Sequence, residues 1–482
     1  MICSNMILMK INTHDYENDV RVMTLAFFPG EKIVIEEQDD ISVRVFVNVE
    51  NNHIVIDVSD GKNYHLDEHA SGTDRKTVRD KLKRMLYGIY SSIRGIELPW
   101  GTLTGIRPTK IPYGLMEKGM AEKDIRQLLA AEYLMKDTKI NLSMEVAARE
   151  RKLISQIDYS DSYSLYVGIP FCPTTCLYCS FTSFPISMWK DKVDSYLDAL
   201  EKELEFLGGH LSNKKAATVY IGGGTPTTLL PHQLDRLIKC IRNNFDLSLV
   251  REFTLEAGRP DSIDRDKLMS IRDNGIDRIS INPQTMNQKT LDYIGRRHTT
   301  QQIIDTYGLA RECGFNNINM DLIIGLPGES EEDVRHTLEE IEKLNPDSLT
   351  VHSLAIKRAA ALNIFKEKYR DADIVNTDRI INLTYDFAKS CGMSPYYLYR
   401  QKNMAGNFEN VGYAKEGCEG LYNILIMEEL HSIYAAGANS QSKIVYHNPD
   451  RVDRIENVKD VKEYIQRIDE MIDRKRKYFD EE

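Results

Sequence analysis

Three cysteines, Cys172, Cys176 and Cys179, stand in the stretch YVGIPFCPTTCLYCSF with the spacing Cys-x3-Cys-x2-Cys. Three thiolates from one short loop suit a cubane iron–sulfur cluster with one iron left for a substrate or cofactor, whereas a fourth thiolate normally makes an electron carrier. Pro170 and Pro173 stiffen such a loop by fixing φ and withholding backbone donors. Zinc is the rival occupant and wants a fourth ligand. Three buried free cysteines are the bland alternative.

Other polar residues could serve the same chemistry. GGGTP at Gly222 to Pro226 permits positive φ and close approach of a ligand to bare backbone. It is neither a dinucleotide fingerprint nor a P-loop, because G-x-G-x-x-G and Gly-Lys-Ser/Thr are both absent from it. A zwitterionic amino acid moiety is the better guest. Glu256, Gln284, Arg296 and Asp321 add two carboxylates, an amide and a cation, suited to an ammonium, ribose hydroxyls and a carboxylate. Asp321 is the least ordinary, since the apolar strand DLIIGLP rarely buries an unpaired carboxylate.

The elements that must position these groups read as an α/β alternation. Strand-like runs SLYVGIP, ATVYIGGG, EFTLEAG, RISINPQ, INMDLIIGLP and DSLTVHSLA are mostly separated by helical patterns such as QLDRLIKCIRNNF and EEDVRHTLEEIEKL. Such alternation predicts right-handed βα units on a parallel sheet, enough for an open barrel but short of the eight that close one. The cysteines follow the first strand, the glycines end the second, Glu256 the third, Gln284 the fourth and Ala355 the sixth, while Asp321 lies in the fifth. That rim is where barrels of this type hold their sites.

The remainder divides into residues 1–98, a small α+β domain with strands such as SVRVFVNV and HIVIDV; 99–160, a helical connector; 161–358, the barrel; and 359–482, a C-terminal α+β extension that covers substrate. The net charge of −11 argues against a broad nucleic-acid surface. No stretch approaches the roughly 20 apolar residues of a membrane span, and MICSNMILMK lacks the marks of a signal peptide. Five scattered cysteines beside the clustered three argue against a disulfide framework, so a cytoplasmic location is expected.

CPTTCLYC, GGGTP, the NPQ strand end and DLIIGLP together resemble a radical S-adenosylmethionine enzyme, and the wider wording is similar to the oxygen-independent coproporphyrinogen III oxidase family. LPWGTLTGIRPTK and YYLYRQKNMAGNFENVGYA resemble its HemZ-type, coproporphyrinogen dehydrogenase branch. The resemblance implies a partial (β/α)6 TIM-like barrel, a [4Fe–4S] cluster on Cys172, Cys176 and Cys179, and S-adenosylmethionine, in two molecules. It carries cofactor contacts onto Tyr166, Tyr178, Gly223, Gly224, Thr225, Glu256, Gln284, Arg296, Asp321 and Ala355, and onto Gln441, where the family uses an apolar residue. It also implies the reaction. An external donor such as a flavodoxin or ferredoxin reduces the cluster, a 5′-deoxyadenosyl radical takes hydrogen from a propionate β-carbon, and carbon dioxide leaves. Coproporphyrinogen III becomes protoporphyrinogen IX in haem biosynthesis, with the cofactor rather than a protein acid or base carrying the chemistry. A polyanionic tetrapyrrole needs cations, for which Arg400 and Lys402 in YYLYRQKNMAGN are the candidates.

Two positions depart from the oxidase pattern: Phe181 stands where a further Cys is usual, and Gly168 where a His is usual. The C-S-F ending is nearer the haem-chaperone branch, yet that branch's H-N-x-x-Y-W string is absent. A haem-binding or haem-delivery protein and a related radical tetrapyrrole methyltransferase are therefore the alternative readings.

Overall fold

The computed structural model describes residues 6–105, 107–158, 162–179, 183–355, 374–401, 408–447 and 450–479. Its contacts gather into two compact units, Met1–Ala148 with Arg400–Asn403, and Arg149–Tyr399 with Met404–Glu482. The sequence reading has four stretches instead. Two differences account for this. The connector up to Ala148 folds into the first unit, where Thr102 N–H donates to Tyr133 O at 2.8 Å and Lys136 N–H to Pro99 O at 3.1 Å, and its remainder belongs to the second. The C-terminal strands continue the barrel's own sheet rather than building another.

The first unit holds a sheet in the order β2-β1-β3-β4-β5, from β1 (Met6–Ile11), β2 (Lys32–Val34), β3 (Ile41–Glu50), β4 (His53–Ser59) and β5 (Asn63–His69). Strand β3 buries Val43, Val45, Val47 and Val49 and turns the residues between them outward, the period-two pattern of a half-buried strand. A slip by one residue would expose all four valines, so the register is tightly specified. Asn51, at φ 56°, makes the left-handed turn of the β3–β4 hairpin. Helices Glu17–Phe27 and Arg75–Arg94 supply Val20, Met23, Phe27, Val78, Leu82 and Leu86 to the core beneath the sheet. Asp74 caps the second of these helices by accepting from Thr77 N–H, and Gly95, left-handed at φ 63°, ends it.

The second unit is built on a sheet of eleven strands. Six follow one another in chain order and pair in parallel: β6 (Ser162–Ile169), β9 (Lys215–Gly223), β10 (Glu252–Glu256), β11 (Arg278–Ser280), β12 (Asn317–Ile324) and β13 (Ser348–Ser353). These are the six runs read from the sequence. Between β6 and β9 lies a short parallel ladder of β7 (Phe171–Cys172) and β8 (Phe184–Pro185). The sheet continues past β13 through β15 (Asn410–Ala414) to β14 (Ser394–Tyr399), both antiparallel. Past β6 it continues through β16 (Ile433–Ala436), which is parallel to β6, then β17 (Gln441–His447) and β18 (Asp450–Glu456). Strands such as β12 are buried along nearly their whole length because helices cover one face and the barrel interior the other. Thr299 and Ser330, each in a capping box, start the helices Thr300–Glu312 and Glu331–Leu344 that lead into β12 and β13. The fold is a partial (β/α)6 barrel. Among the described residues no helix is long and apolar enough to cross a membrane.

Candidate active site

The cysteine loop leaves β6 and is tied to its neighbours by backbone bonds. Gly224 N–H donates to Ile169 O and Thr225 N–H to Phe171 O, both at 2.7 Å, and Leu177 N–H donates to Ile294 O at 3.0 Å. Cys179 N–H donates to Cys176 O at 3.1 Å. Thr225 Oγ1 lies 3.5 Å from Cys172 Sγ, and Arg259 Nη1 lies 3.5 Å from Cys176 Sγ. Burial pushes the Cys172 thiol up, with Thr225 pulling the other way. Cys176 is buried, while Cys172 and Cys179 are half-buried. Among the described residues no three His, Cys, Asp or Glu side chains gather around a single metal ion. A cubane spreads its thiolates over several irons.

The three glycines are there for space. Gly223 has φ 108°. A Cβ on Gly224 would lie 2.6 Å from Phe171 O and 2.8 Å from Pro170 C, and one on Gly222 would lie 3.1 Å from the Glu256 carboxyl. Any side chain here would push on the cysteine loop or on Glu256.

Beside the glycines the site is rich in hydrogen-bond acceptors. Tyr220 OH donates to Glu256 Oε1 at 2.6 Å, and the rings of Tyr166, Tyr220 and Tyr422 stack, the last two with centroids 4.6 Å apart. Burial pushes the Glu256 carboxyl up to about 7; the Asp321 charge adds to this, and the Tyr220 bond partly offsets it. For Asp321, burial acts upward but is outweighed by His352, Asn319 and Thr350, which hold its carboxyl low. Asn319 Nδ2 donates to Asp321 Oδ1 at 2.8 Å, and His352 Nε2 stands 3.7 Å from Oδ2. Gln284 extends the fourth strand by a bridge to Leu322, with N–H donating to Asp321 O at 2.9 Å. Its backbone sits at φ 68°, and its buried Oε1 has no partner. A strained backbone that presents an unsatisfied buried acceptor is what a ligand donor would repair.

Arg296 is buried. Its Nη1 donates to Tyr178 OH at 3.0 Å, and Nη2 to Gly258 O at 2.8 Å and Asn282 O at 2.5 Å. Only Nε is left without a partner. Two backbone carbonyls and the Tyr178 hydroxyl therefore fix the guanidinium and leave the Nε–H for an anion. Ala355 follows β13, and Leu354 N–H before it donates to Ile324 O at 2.9 Å.

Several expected residues have partners of their own. Gln441 Nε2 donates to Glu456 Oε1 at 2.6 Å across the β17–β18 ladder, so its amide is already engaged. Arg400 is buried in the first unit, with Nη1 donating to Leu103 O at 2.6 Å and the guanidinium carbon 5.9 Å from the Trp100 ring centre. Lys402 and Phe181 lie outside the described residues. Sequence reasoning missed Tyr220, Tyr422, His352 and Arg259. Tyr220 shares a strand face with Gly222, and Arg259 lies three residues beyond Glu256 at the same rim, so both were within reach of the alternation and rim arguments. Tyr422 comes from a distant helix and had no such signal.

The model of the radical SAM superfamily matches residues 166–341. A Bacillus subtilis protein described as oxygen-independent coproporphyrinogen-III oxidase-like protein HemZ is 41% identical over 84% of this chain and 82% of its own length. The chain belongs to that oxidase-like family of radical SAM proteins. Members of the superfamily carry a [4Fe–4S] cluster and S-adenosylmethionine, and the donor set fits both: three thiolates on one loop, and beside them an orphan amide oxygen, two carboxylates and an unpaired guanidinium Nε–H. Other relatives divide in name. The oxygen-independent coproporphyrinogen III oxidase of Escherichia coli is 31% identical over 50% of this chain and 52% of its own. The heme chaperone HemW of Lactococcus lactis is 31% identical over 59% and 71%. The solved E. coli oxidase HemN, reported as a radical SAM enzyme, aligns with TM-score 0.52 and 27% identity over 65% of this chain and 70% of that one.

Proposed function

We propose that this chain is an oxygen-independent coproporphyrinogen III dehydrogenase, converting two propionates of coproporphyrinogen III to the vinyl groups of protoporphyrinogen IX. At each propionate a β-carbon loses a hydrogen atom, the bond to the carboxylate breaks, carbon dioxide leaves, and one electron passes to an external acceptor as the double bond forms. The observation that carries the reading is the buried, unpartnered Gln284 Oε1 beside Glu256 and Asp321 on the rim that holds the cysteine loop. The likeness to the HemZ and HemN proteins supplies the substrate class. When bound, the cluster and S-adenosylmethionine supply a hydrogen-abstracting radical.

The chain's own residues bind and orient. Cys172, Cys176 and Cys179 hold the cluster. Gly223, Gly224 and Thr225 let a methionine ammonium reach backbone acceptors. Glu256, Gln284 and Asp321 accept from ammonium and hydroxyl donors, Arg296 Nε donates to a carboxylate, and Tyr166, Tyr178 and Ala355 line the site. The stacked Tyr166, Tyr220 and Tyr422 exclude water from one side. A flavodoxin- or ferredoxin-type protein supplies the reducing electron. The reading does not depend on Arg400, whose guanidinium is bonded to Leu103.

A second reading, haem binding or delivery, is favoured by the identity to HemW chaperones. Anaerobic reconstitution with iron and sulfide, followed by incubation with coproporphyrinogen III, S-adenosylmethionine and a reductant, separates the two. Vinyl product with released carbon dioxide is expected. Tight haem binding with S-adenosylmethionine cleavage but no vinyl product would replace the first reading by the second.

A further inference from the structure

Arg259 is a buried cation that no part of the proposed reaction uses. It follows β10 in EAGRPD, and every donor of its fork is engaged. Nε donates to Asp261 Oδ1 at 2.9 Å and Nη2 to Asp261 Oδ2 at 2.7 Å. Nη1 and Nη2 both reach Thr174 Oγ1 at 3.1 Å, and Nη1 also lies 3.3 Å from Thr174 O. Nη1 then reaches Cys176 Sγ at 3.5 Å. His298, fully buried, stands with Nδ1 3.8 Å from Asp261 Oδ1 and backs the carboxylate. The guanidinium is thus clamped by a bidentate carboxylate on one edge and presents the opposite nitrogen to a thiolate. The neighbouring Cys172 faces a neutral donor, Thr225 Oγ1.

We propose that Arg259 raises the reduction potential of the cluster held by Cys176, and that Asp261 both aims this guanidinium and moderates its charge. Reduction adds one electron and no proton to the cluster, so a cation bonded to a ligand sulfur favours the reduced form. A guanidinium is suited to this because it stays charged when buried and its fork fixes its direction. Asp261 lies farther along the same ion pair, so its charge opposes the effect with less leverage.

The proposal rests on Cys176 being a cluster ligand. Arg259→Gln, Arg259→Lys and Asp261→Asn in the full chain, anaerobically reconstituted, would be assayed for iron and sulfide and titrated with a low-potential reductant while the reduced cluster is followed by electron paramagnetic resonance. Arg259→Gln lowers the midpoint, Asp261→Asn raises it, and Arg259→Lys stays nearer the parent than Arg259→Gln does. A residue that only anchors the loop would not give shifts of opposite sign. Unchanged midpoints at parental iron content would overturn the proposal. So would loss of the cluster from both Arg259→Lys and Asp261→Asn, which would make the pair a loop anchor. Full iron content in Cys176→Ser would refute the ligand assignment itself, a separate failure.

Discussion

If Glu256 accepts from S-adenosylmethionine, its affinity must depend on pH. In the ligand-free protein, burial pushes this carboxyl up from 4.5 to about 7, with the Asp321 charge adding to the effect. A bound ammonium or hydroxyl donor favours the carboxylate, so below that value binding must first remove a proton. Tyr220, Asp321 and His352 face the same corner. Asp321 is held low and stays ionised through the range used. With a free-state value of about 7, the apparent dissociation constant should be about tenfold higher at pH 6 than at pH 8. Anaerobic calorimetry of the reconstituted protein across that range measures it. Glu256→Gln keeps an acceptor for Tyr220 and should bind more weakly at pH 8 with most of the slope gone, which separates Glu256 from His352 and from the ligand's own titration. The same shift bears on stability. Because the folded value is raised, this group's contribution is complete below 4.5 and is lost as the pH rises through about 7, at most about 3 kcal/mol in the ligand-free protein. A flat affinity in the parent, or the full slope retained in Glu256→Gln, would refute the assignment.

Two further perturbations test the scaffold. Gly224→Ala places a methyl within 3 Å of the Phe171 and Pro170 backbone, so it should cost up to about 3 kcal/mol and lower the iron bound on reconstitution; parental iron content would show that the loop yields freely. Lys475→Met strips the partner from Glu203, which is fully buried and also accepts from Gly437 N–H and Tyr464 OH. Urea unfolding should show a loss of about 3–5 kcal/mol, partly restored by Glu203→Gln in the same chain, and a parental midpoint for the single variant would contradict it.

Much of this protein is written locally. The spacing of the three cysteines, the glycine run and the six apolar strands are short-range patterns, and strand–helix alternation leaves few topologies, so the barrel and its occupied rim were legible. In the first unit, β3 and β4 were plain from their alternation, whereas β5, NYHLDEH, was not, because its half-buried face mixes Tyr64 and Leu66 with the charged Glu68.

Other features depend on which distant segments meet. The connector up to Ala148 belongs to the first unit, where Tyr133 O and Pro99 O receive backbone donors, a pairing that no local pattern encodes. Arg400 is a candidate propionate partner by charge alone, and only packing reveals that its Nη1 donates to Leu103 O. Gln441 is a cofactor contact only by resemblance to the family, and its bond to Glu456 is set by strand register.

Spacing and periodicity act over a few residues, so they suffice to name the candidate cluster ligands and the strand ends they follow. Tertiary structure decided how those residues are tuned: the burial that raises Glu256, the unsatisfied oxygen of Gln284 and the Arg259 nitrogen at Cys176. Desolvation and hydrogen bonding depend on every atom nearby in space, most of them contributed by other strands.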